Sequence, residues 1–213
     1  MKKGLLCFDL DNTLIASNTC HLRAYQLAFQ KHHLKKYISD QHILRYFGQG
    51  GRVLVRHLFP HASSSFIRSI IHDHDFFVLR ETASLAKPLP GAKQLLQHLK
   101  QRWRLALVSN CNRKIIFALL RATKISRTWF AAIVGNDEVR LPKPAPDELL
   151  KAEKLLHMQA DYMIGDSIYD IRAAKRAHIP VIAIPSGVHN KATLAREKPD
   201  SLLPHLSALR KLL

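Results

Sequence analysis

Two carboxylates stand two residues apart where the first apolar run of the chain ends. The run is Gly4-Leu5-Leu6-Cys7-Phe8, and Asp9-Leu10-Asp11-Asn12-Thr13 follows it directly. Residues i and i+2 of an extended chain point to the same side, so the two acids leave the strand end close together. Like charges this close need a cation or a shared proton, unless the acids only form a solvated turn that ends the strand.

Three later segments repeat this order of apolar strand, polar cluster and helical pattern. Alternation of short strands with helices predicts an α/β fold with a parallel sheet and crossover helices. In such a sheet the ligand cleft lies beyond the carboxyl ends of the strands, so we expect the polar clusters to share one cleft. The three segments are strand 105–108, cluster 109–112 and helix 113–122; strand 131–135, cluster 136–138 and helix 147–156; and strand 162–165, cluster 166–170 and helix 171–177.

The residue types in these clusters favour phosphoryl transfer. Hard oxygen ligands, which suit Mg²⁺, come from four acids: Asp9, Asp11, Asp166 and Asp170. Ser109 and the amides of Ser109 and Asn110 precede a helix start, where free N–H groups favour an anion. Lys143 adds a compact positive charge, and an aspartate carboxylate can serve as a covalent nucleophile. Phosphoryl transfer depends mostly on positioning and charge neutralisation, which these groups supply.

The chain resembles phosphatases of the haloacid dehalogenase superfamily, because the four motifs of that family occur in order. Within the superfamily it is most similar to phosphoglycolate phosphatases, over essentially the whole chain. The resemblance implies a Rossmannoid core with a helical cap inserted after the first strand. Two departures are Asn12, where the family usually has Gly, and Ala16, where relatives commonly carry an acid. The motifs are Asp9-Leu10-Asp11-Asn12-Thr13, Ser109-Asn110, Lys143 within Leu141–Pro146, and Gly165-Asp166-Ser167 with Asp170.

The same resemblance implies the roles of the individual residues. Asp9 is expected to attack phosphorus, and Asp11 to act as general acid and then as general base on an aspartyl-phosphate. Mg²⁺ is expected to be held by the Asp9 carboxylate, the Asp11 main-chain carbonyl and Asp166, with Asp170 nearby. The predicted substrate-binding residues are Thr13, Ser109, Asn110 and Lys143.

An insertion between the first two motifs is the predicted cap. We expect the core to comprise residues 1–15 and 87–213 and the helical cap residues 16–86, which carry apolar residues at helical spacing. Closure of a cap excludes water and completes substrate recognition. Arg52, after a glycine-rich break, either binds a substrate carboxylate or is solvated in an ordinary loop. His21 follows the first linker and either faces the cleft or packs elsewhere.

The charge of the chain is strongly positive, with 33 Lys and Arg against 16 Asp and Glu, or +17. No basic run exceeds two residues, and no aromatic series is interleaved with the charge. We therefore expect no nucleic-acid partner. The excess charge either attracts anionic metabolites or reflects the overall composition of the source.

Length and cysteine content indicate the compartment. The chain has 213 residues and 47% hydrophobic residues, enough for a substantial core. No apolar stretch approaches the ~20 residues of a membrane span. Cys7, Cys20 and Cys111 have no metal-binding spacing, which favours reduced thiols. These features predict a cytoplasmic protein without a membrane partner, either monomer or homodimer.

The leading hypothesis is a Mg²⁺-dependent phosphatase acting on a small phosphorylated metabolite, with 2-phosphoglycolate as the best single candidate. β-Phosphoglucomutases and pyrophosphatases resemble the same arrangement and remain alternatives. A non-catalytic protein that binds anions or nucleic acid is a third, which the intact catalytic acids disfavour.

Overall fold

A six-stranded parallel sheet forms the centre of the molecule. The computed structural model describes residues 4–34 and 38–213. Residues 1–3 of the predicted core and residues 35–37 of the predicted cap lie outside the described residues. The strand order is β5-β4-β1-β6-β7-β8, with β1 Leu5–Phe8, β4 Arg104–Ser109, β5 Ala132–Gly135, β6 Ala160–Gly165, β7 Val181–Ala183 and β8 Ser201–Leu202. The α/β fold with a parallel sheet is therefore confirmed.

Alternate residues of the strands pack on opposite faces of the sheet. Leu6 and Phe8 belong to one apolar cluster, and Leu5 and Cys7 belong to another. All four side chains are buried, which explains why β1 is continuously apolar rather than alternating with polar residues. Helices cover both faces: α5 Ala92–Arg102 and α6 Arg113–Ala122 supply the first cluster, and α7 Asp147–Leu156 and α8 Ile168–Arg176 supply the second.

The predicted helices 113–122 and 147–156 match α6 and α7, whereas α8 begins three residues earlier than predicted. The cause is a capping box at its start. Ser167 Oγ accepts a hydrogen bond from the Asp170 N–H, and the Asp170 carboxylate accepts one from the Ser167 N–H. This pair satisfies two N–H groups of the first turn and starts the helix at Ile168. The same pair fixes the Asp170 carboxylate in the cleft.

Four helices follow the first strand and have an apolar cluster of their own. They are α1 Asn18–Lys31, α2 Asp40–Leu44, α3 Gly51–Leu58 and α4 Ser64–Phe77. Tyr25, Phe47 and Ile70 are among the buried residues of this cluster. Two short antiparallel strands, β2 Ile15–Ala16 and β3 Lys87–Pro88, bring the start and end of the inserted segment side by side. Division into a core and a cap of residues 16–86 stays a prediction, which this arrangement supports.

The chain ends with two short helices, α9 Lys191–Arg196 and α10 Leu209–Leu212. No helix among the described residues has both the length and the apolar character needed to cross a bilayer.

Candidate active site

The loop after β1 carries Asp9 and Asp11 to the carboxyl edge of the sheet. The Asp9 N–H donates to the Ile164 carbonyl at 2.9 Å, so pairing with β6 continues past the end of the strand. The Leu10 carbonyl then accepts from three later N–H groups, those of Thr13, Leu14 and Ile15, which closes a tight loop. Asn12 lies within this loop at φ 59°, a left-handed conformation that Asn adopts more readily than most residues. This conformation explains how Asn12 can stand where the family usually has Gly.

The ammonium group of Lys143 lies between two carboxylates. Its Nζ donates to Asp9 Oδ1 at 2.8 Å, to Asp170 Oδ1 at 2.7 Å and to the Val108 carbonyl at 3.0 Å. Lys143, Asp9 and Asp170 are all buried. Breaking such a buried pair leaves an uncompensated charge, so Lys143 holds the Asp9 carboxylate in one position.

Thr13 joins two further carboxylate oxygens. Its Oγ1 lies 2.9 Å from Asp9 Oδ2 and 3.2 Å from Asp166 Oδ1. A hydroxyl has one proton and can donate to only one of them at a time. Carboxylate oxygens of Asp9, Asp166 and Asp170 lie within 4.8 Å of one another. Carboxylates this close repel one another, and a bound cation would relieve that repulsion.

Burial and mutual repulsion change the ionisation of these acids. Burial raises the pKa of Asp9 to about 7, although Lys143 opposes the rise and the charge of Asp170 adds to it. Burial and the charges of Asp9 and Asp170 also hold the pKa of Asp166 well above its usual range. A divalent cation would reverse both effects, and an all-oxygen donor set is the type that Mg²⁺ prefers. The three acids therefore fit a hard divalent metal.

Two glycines allow the backbone to approach the acids. A side chain at Gly165 would overlap the carboxyl group of Asp170, and one at Gly187 would overlap that of Asp166. Ser186 Oγ donates to the Asn12 carbonyl at 2.6 Å, which fastens the loop after β7 to the loop after β1. Gly165 belongs to the fourth motif, whereas Ser186 and Gly187 were not identified from the sequence.

Asp11 faces a second group of side chains. Ser17 Oγ donates to Asp11 Oδ1 at 2.6 Å, His21 Nε2 lies 3.1 Å from the same oxygen, and Cys111 Sγ lies 3.2 Å from Oδ2. Burial acts to raise the pKa of Asp11, but hydrogen bonds from His21, Ser17 and Cys111 lower it to about 2. Burial and the Asp11 charge hold the pKa of Cys111 well above its usual range, so this side chain is a thiol.

A chain of hydrogen-bonding groups runs from Asp11 into the inserted helices. His21 Nδ1 lies 3.1 Å from His74 Nε2, and His74 Nδ1 lies 2.9 Å from Asp75 Oδ1. Asn112 Nδ2, at the start of α6, donates to Asp75 Oδ2 at 2.7 Å. Burial lowers the pKa of His74, although Asp75 opposes the change. Of the two alternatives for His21, the structure shows the first: His21 lines the cavity, and its partner is Asp11.

Asn110 connects the inserted segment to the loop that carries Lys143. Its Nδ2 donates to the Gly48 carbonyl at 2.7 Å and to the Lys143 carbonyl at 2.9 Å. Both amide protons are therefore engaged by the protein, so the Asn110 side chain acts here as a connector.

A cavity of ≈ 310 Å³ lies above the acids, between the sheet edge and the inserted helices. Lys143 is the one lysine or arginine among the described residues that line it. The opposite wall is formed by aromatic and aliphatic side chains, including Tyr25, Phe47, Leu54 and Ile71. The same lining contains six aspartates: Asp9, Asp11, Asp75, Asp137, Asp166 and Asp170. A protein of net charge +17 thus has a cavity dominated by carboxylates.

Comparison with known proteins identifies the family. The model of the haloacid dehalogenase-like hydrolase family matches residues 6–184. The chain belongs to the haloacid dehalogenase-like hydrolases. It is similar to a phosphoglycolate phosphatase from Mesorhizobium japonicum, 30% identical over 98% of this chain and 94% of the relative. A pyrophosphatase PpaX from Listeria monocytogenes is 27% identical over 96% of this chain and 93% of its own length.

Solved structures agree on the fold of this hydrolase. A hydrolase from Pseudomonas syringae superposes with a TM-score of 0.86, covering 98% of this chain and 97% of that one at 24% identity. The family-model match confirms the resemblance to the haloacid dehalogenase superfamily, and this superposition agrees with it in fold.

The structure brings most of the predicted site residues of this hydrolase into contact with the cavity, but not all of them. Thr13 and Ser109 are fully buried and contact carboxylates rather than the cavity. Arg52 is exposed near the start of α3 and is absent from the lining. Six predicted residues line the cavity: Asp9, Asp11, Asn110, Lys143, Asp166 and Asp170.

Three residues at or near the site of this hydrolase were not identified from the sequence. His74 and Asp75 lie on α4 and are two of many polar residues on that helix, so only the packing of α4 against α1 singles them out. Glu148 lies on α7 and is fully buried, and burial raises its pKa to about 8 against the effect of the Lys143 charge. An acid one residue after Asp147 gives no sequence signal that it faces inward.

Proposed function

We propose that the protein is a Mg²⁺-dependent phosphatase that hydrolyses a small phosphomonoester through an aspartyl-phosphate on Asp9. The observation that carries the proposal is the position of the Asp9 carboxylate. It lies on the cavity lining, held through Oδ1 by Lys143 and through Oδ2 by Thr13. A nucleophile fixed in this way needs little reorganisation to reach a phosphoryl group placed above it.

Lys143 has two functions in this proposal. Its ammonium group orients Asp9, and it supplies a fixed positive charge next to the place where the phosphoryl oxygens would lie. Because Asp170 shares the same ammonium at 2.7 Å, the lysine cannot swing away without leaving a buried acid unpaired.

The carboxylates of Asp9 and Asp166 and the main-chain carbonyl of Asp11 would hold Mg²⁺, with Asp170 supporting them from beside Lys143. A bound divalent cation would neutralise charge on the transferring phosphoryl group. Thr13 lies within hydrogen-bonding distance of both Asp9 and Asp166 and so helps to position the two carboxylates for the metal.

Asp11 is the proposed general acid and base. It lies on the same cavity lining as Asp9 but is held by a separate set of groups, Ser17, His21 and Cys111. This separation supports two different roles for the two acids, because the surroundings of Asp9 raise its pKa and those of Asp11 lower its pKa. His21 is placed to hold a proton next to Asp11 when the leaving group needs one.

The substrate is proposed to be a small phosphorylated metabolite, with 2-phosphoglycolate as the first candidate because of the Mesorhizobium relative. Pyrophosphate is the second candidate, supported by the relatives named PpaX. The cytoplasm is the proposed location, supported by three free cysteines, and nucleic acid is not a proposed partner. A monomer or a homodimer is equally consistent with this proposal.

The experiment that tests the proposal is phosphate release from a panel of phosphorylated metabolites, with and without Mg²⁺. The panel includes 2-phosphoglycolate, pyrophosphate, β-glucose 1-phosphate and an aryl phosphate. Phosphate release that requires Asp9 and Mg²⁺ would support a phosphatase. Formation of glucose 6-phosphate without phosphate release would instead indicate a mutase, and no turnover of any ester would contradict both.

Arg52→Ala separates two explanations of specificity in the same panel. Because Arg52 is exposed and outside the cavity, we expect kcat/KM for 2-phosphoglycolate to change less than about threefold. A loss of about tenfold or more for 2-phosphoglycolate, with none for the aryl phosphate, would mean that Arg52 reaches the substrate carboxylate after cap closure. A charge-assisted hydrogen bond contributes ~1.5–3 kcal/mol, so its removal would cause a loss of that size.

A further inference from the structure

We propose that Asp11, His21 and Cys111 form a second metal site, separate from the carboxylate site, which binds Zn²⁺ or another thiophilic divalent cation and blocks Asp11. One ligand atom from each of the three residues lies within 4.8 Å of the other two. Asp11 and Cys111 are only partly buried and line the cavity with His21, so an ion has a path to them.

The distances between the three donors are close to those around tetrahedral zinc. Zinc bonds to sulfur, nitrogen and oxygen imply separations of about 3.3 to 3.6 Å between ligand atoms in a tetrahedron. In this protein His21 Nε2 lies 3.1 Å from Asp11 Oδ1, Cys111 Sγ lies 3.2 Å from Asp11 Oδ2, and Cys111 Sγ lies 3.9 Å from His21 Nε2. Because the two contacts with Asp11 are to different oxygens, the Asp11 carboxylate must turn to bring one oxygen to the metal with the other two donors. Water would take the fourth position.

The hydrogen-bonded chain behind His21 orients it as a metal ligand. Asp75 accepts the proton on His74 Nδ1, which leaves His74 Nε2 as the acceptor for the proton on His21 Nδ1. His21 Nε2, which donates to Asp11 when it carries a proton, is then the ring nitrogen that faces the proposed metal position. Metal-binding histidines are generally held by such a bond from the other ring nitrogen, which fixes the tautomer and the ring orientation.

The contact between His21 and Asp11 is the place where a metal ion can enter this chain of groups. Asp11, His21, His74 and Asp75 make three consecutive hydrogen-bonding contacts. With His74 Nδ1 donating to Asp75 and His21 Nδ1 donating to His74, the remaining contact holds either a proton on His21 Nε2 or a metal ion. A metal ion that binds there replaces that proton, which leaves to solvent.

The donor types separate this site from the magnesium site. A thiolate and an imidazole favour zinc and similar cations, whereas the oxygen donors of Asp9, Asp166 and Asp170 favour hard cations. Zinc binds the thiolate, so the proton on Cys111 Sγ leaves to solvent as the Zn–S bond forms. Excess Mg²⁺ therefore competes poorly for this position.

The direct test is Co²⁺ binding to the protein in excess Mg²⁺. Co²⁺ replaces Zn²⁺ and gives a thiolate-to-metal absorption band only when a cysteine is a ligand. We expect this band for the native protein and for Cys20→Ala, a control that removes a buried cysteine one residue before His21 and outside the cluster. We expect no band for Cys111→Ser. Absence of the band in the native protein, or its persistence in Cys111→Ser, would overturn the proposal.

His21→Gln provides a second variant, and zinc affinity measured against a chromophoric chelator gives the size of the effect. We expect each of Cys111→Ser and His21→Gln to lower zinc affinity by more than about tenfold, since loss of even a group behind a ligand costs 10–100-fold. Unchanged affinity in both variants, with folding confirmed by circular dichroism, would overturn the proposal.

The inhibitory consequence rests on the proposed function, whereas the binding measurements do not. We expect Zn²⁺ to inhibit phosphate release in excess Mg²⁺, and a chelator selective for Zn²⁺ to restore it. Cys111→Ser should need at least about tenfold more Zn²⁺ for the same fractional inhibition. Equal sensitivity of native protein and Cys111→Ser would overturn the claim that this site blocks Asp11. If no ester is hydrolysed, the proposed function fails while the Co²⁺ result still decides the metal site.

Discussion

His21 Nε2 lies 3.1 Å from Asp11 Oδ1, which joins the first inserted helix to the loop that follows the first strand. Through His74 and Asp75 this contact continues to a second inserted helix and then to Asn112 at the start of α6. The proposed general acid is therefore positioned partly by the inserted segment. Movement of that segment relative to the sheet would change the environment of Asp11 directly.

The first prediction concerns His21→Asn. If His21 holds the proton that Asp11 gives to the leaving group, the loss of kcat should depend on the leaving group. We expect about 10²-fold for an alkyl phosphate, within the range of general acid catalysis, and less than about fivefold for an aryl phosphate with a good leaving group. His42→Asn, on the exposed side of α2, is the matched control and should change neither rate. Equal losses for both substrates would assign His21 a purely structural role.

The second prediction concerns Lys143→Ala. Removal of the ammonium leaves Asp9 and Asp170 buried without a counter-charge, so the free energy of unfolding in metal-free buffer should fall by about 3–5 kcal/mol. Urea unfolding measures this change. Lys151→Ala, which removes a partly exposed partner of Glu138, is the control and should cost no more than about 1 kcal/mol. A similar small cost for both variants would contradict the buried ion pairs.

Much of the fold could be predicted because its signals are local. Each apolar run is long enough for a buried strand, and each strand ends at polar residues, so parallel topology alone brings Asp9, Lys143 and Asp166 to one edge. The order of the motifs then points to the family. The departure at Asn12 needed the structure to be explained, because its left-handed backbone, at φ 59°, is what Asn tolerates in place of Gly.

The rest of the site depends on packing that local sequence does not encode. Eight histidines fall between residues 16 and 86, and only the contact between α1 and α4 selects His21 and His74 from them. The glycine-rich break before Arg52 left two alternatives open, a bond to a substrate carboxylate or a solvated loop. The helix that begins at Gly51 instead directs Leu54 and Val55 inward and leaves Arg52 exposed.

The third prediction concerns metal removal. Six aspartates and one lysine line the cavity, so the metal-free site is strongly repulsive to an anionic substrate. EDTA-treated protein should be inactive, Mg²⁺ should restore activity, and Ca²⁺, with its larger and looser coordination, should not. Mg²⁺ should also raise the melting temperature in proportion to the logarithm of its concentration, because it binds the folded state. Full activity after EDTA treatment would contradict the proposed metal site.

The fourth prediction concerns pH and Glu148. Burial raises the pKa of Glu148 from 4.5 to about 8, so between these values the folded protein keeps a proton that the unfolded chain releases. The unfolded state then binds fewer protons, and this residue makes stability fall as pH rises from about 4.5 to 8. Glu148→Gln removes the effect. The free energy of unfolding of Glu148→Gln minus that of the native protein should therefore increase by on the order of 2 to 4 kcal/mol between pH 5 and pH 8.

Urea unfolding in EDTA-containing buffer at several pH values checks the fourth prediction, since both proteins then differ only at Glu148. A difference that does not change with pH would mean that Glu148 is ionised in the folded protein across this range.

The most direct test of the account is identification of the residue that receives the phosphoryl group. Native protein, Asp9→Asn and Asp11→Asn are mixed with an aryl phosphate and Mg²⁺, quenched in acid and analysed by peptide mass spectrometry. We expect a phosphoryl group on the peptide carrying Asp9 in the native protein, and more of it in Asp11→Asn because hydrolysis lacks its general base. Asp9→Asn should carry none and release no phosphate. A phosphoryl group on another residue, or turnover by folded Asp9→Asn above about one hundredth of the native kcat, would contradict the proposed mechanism.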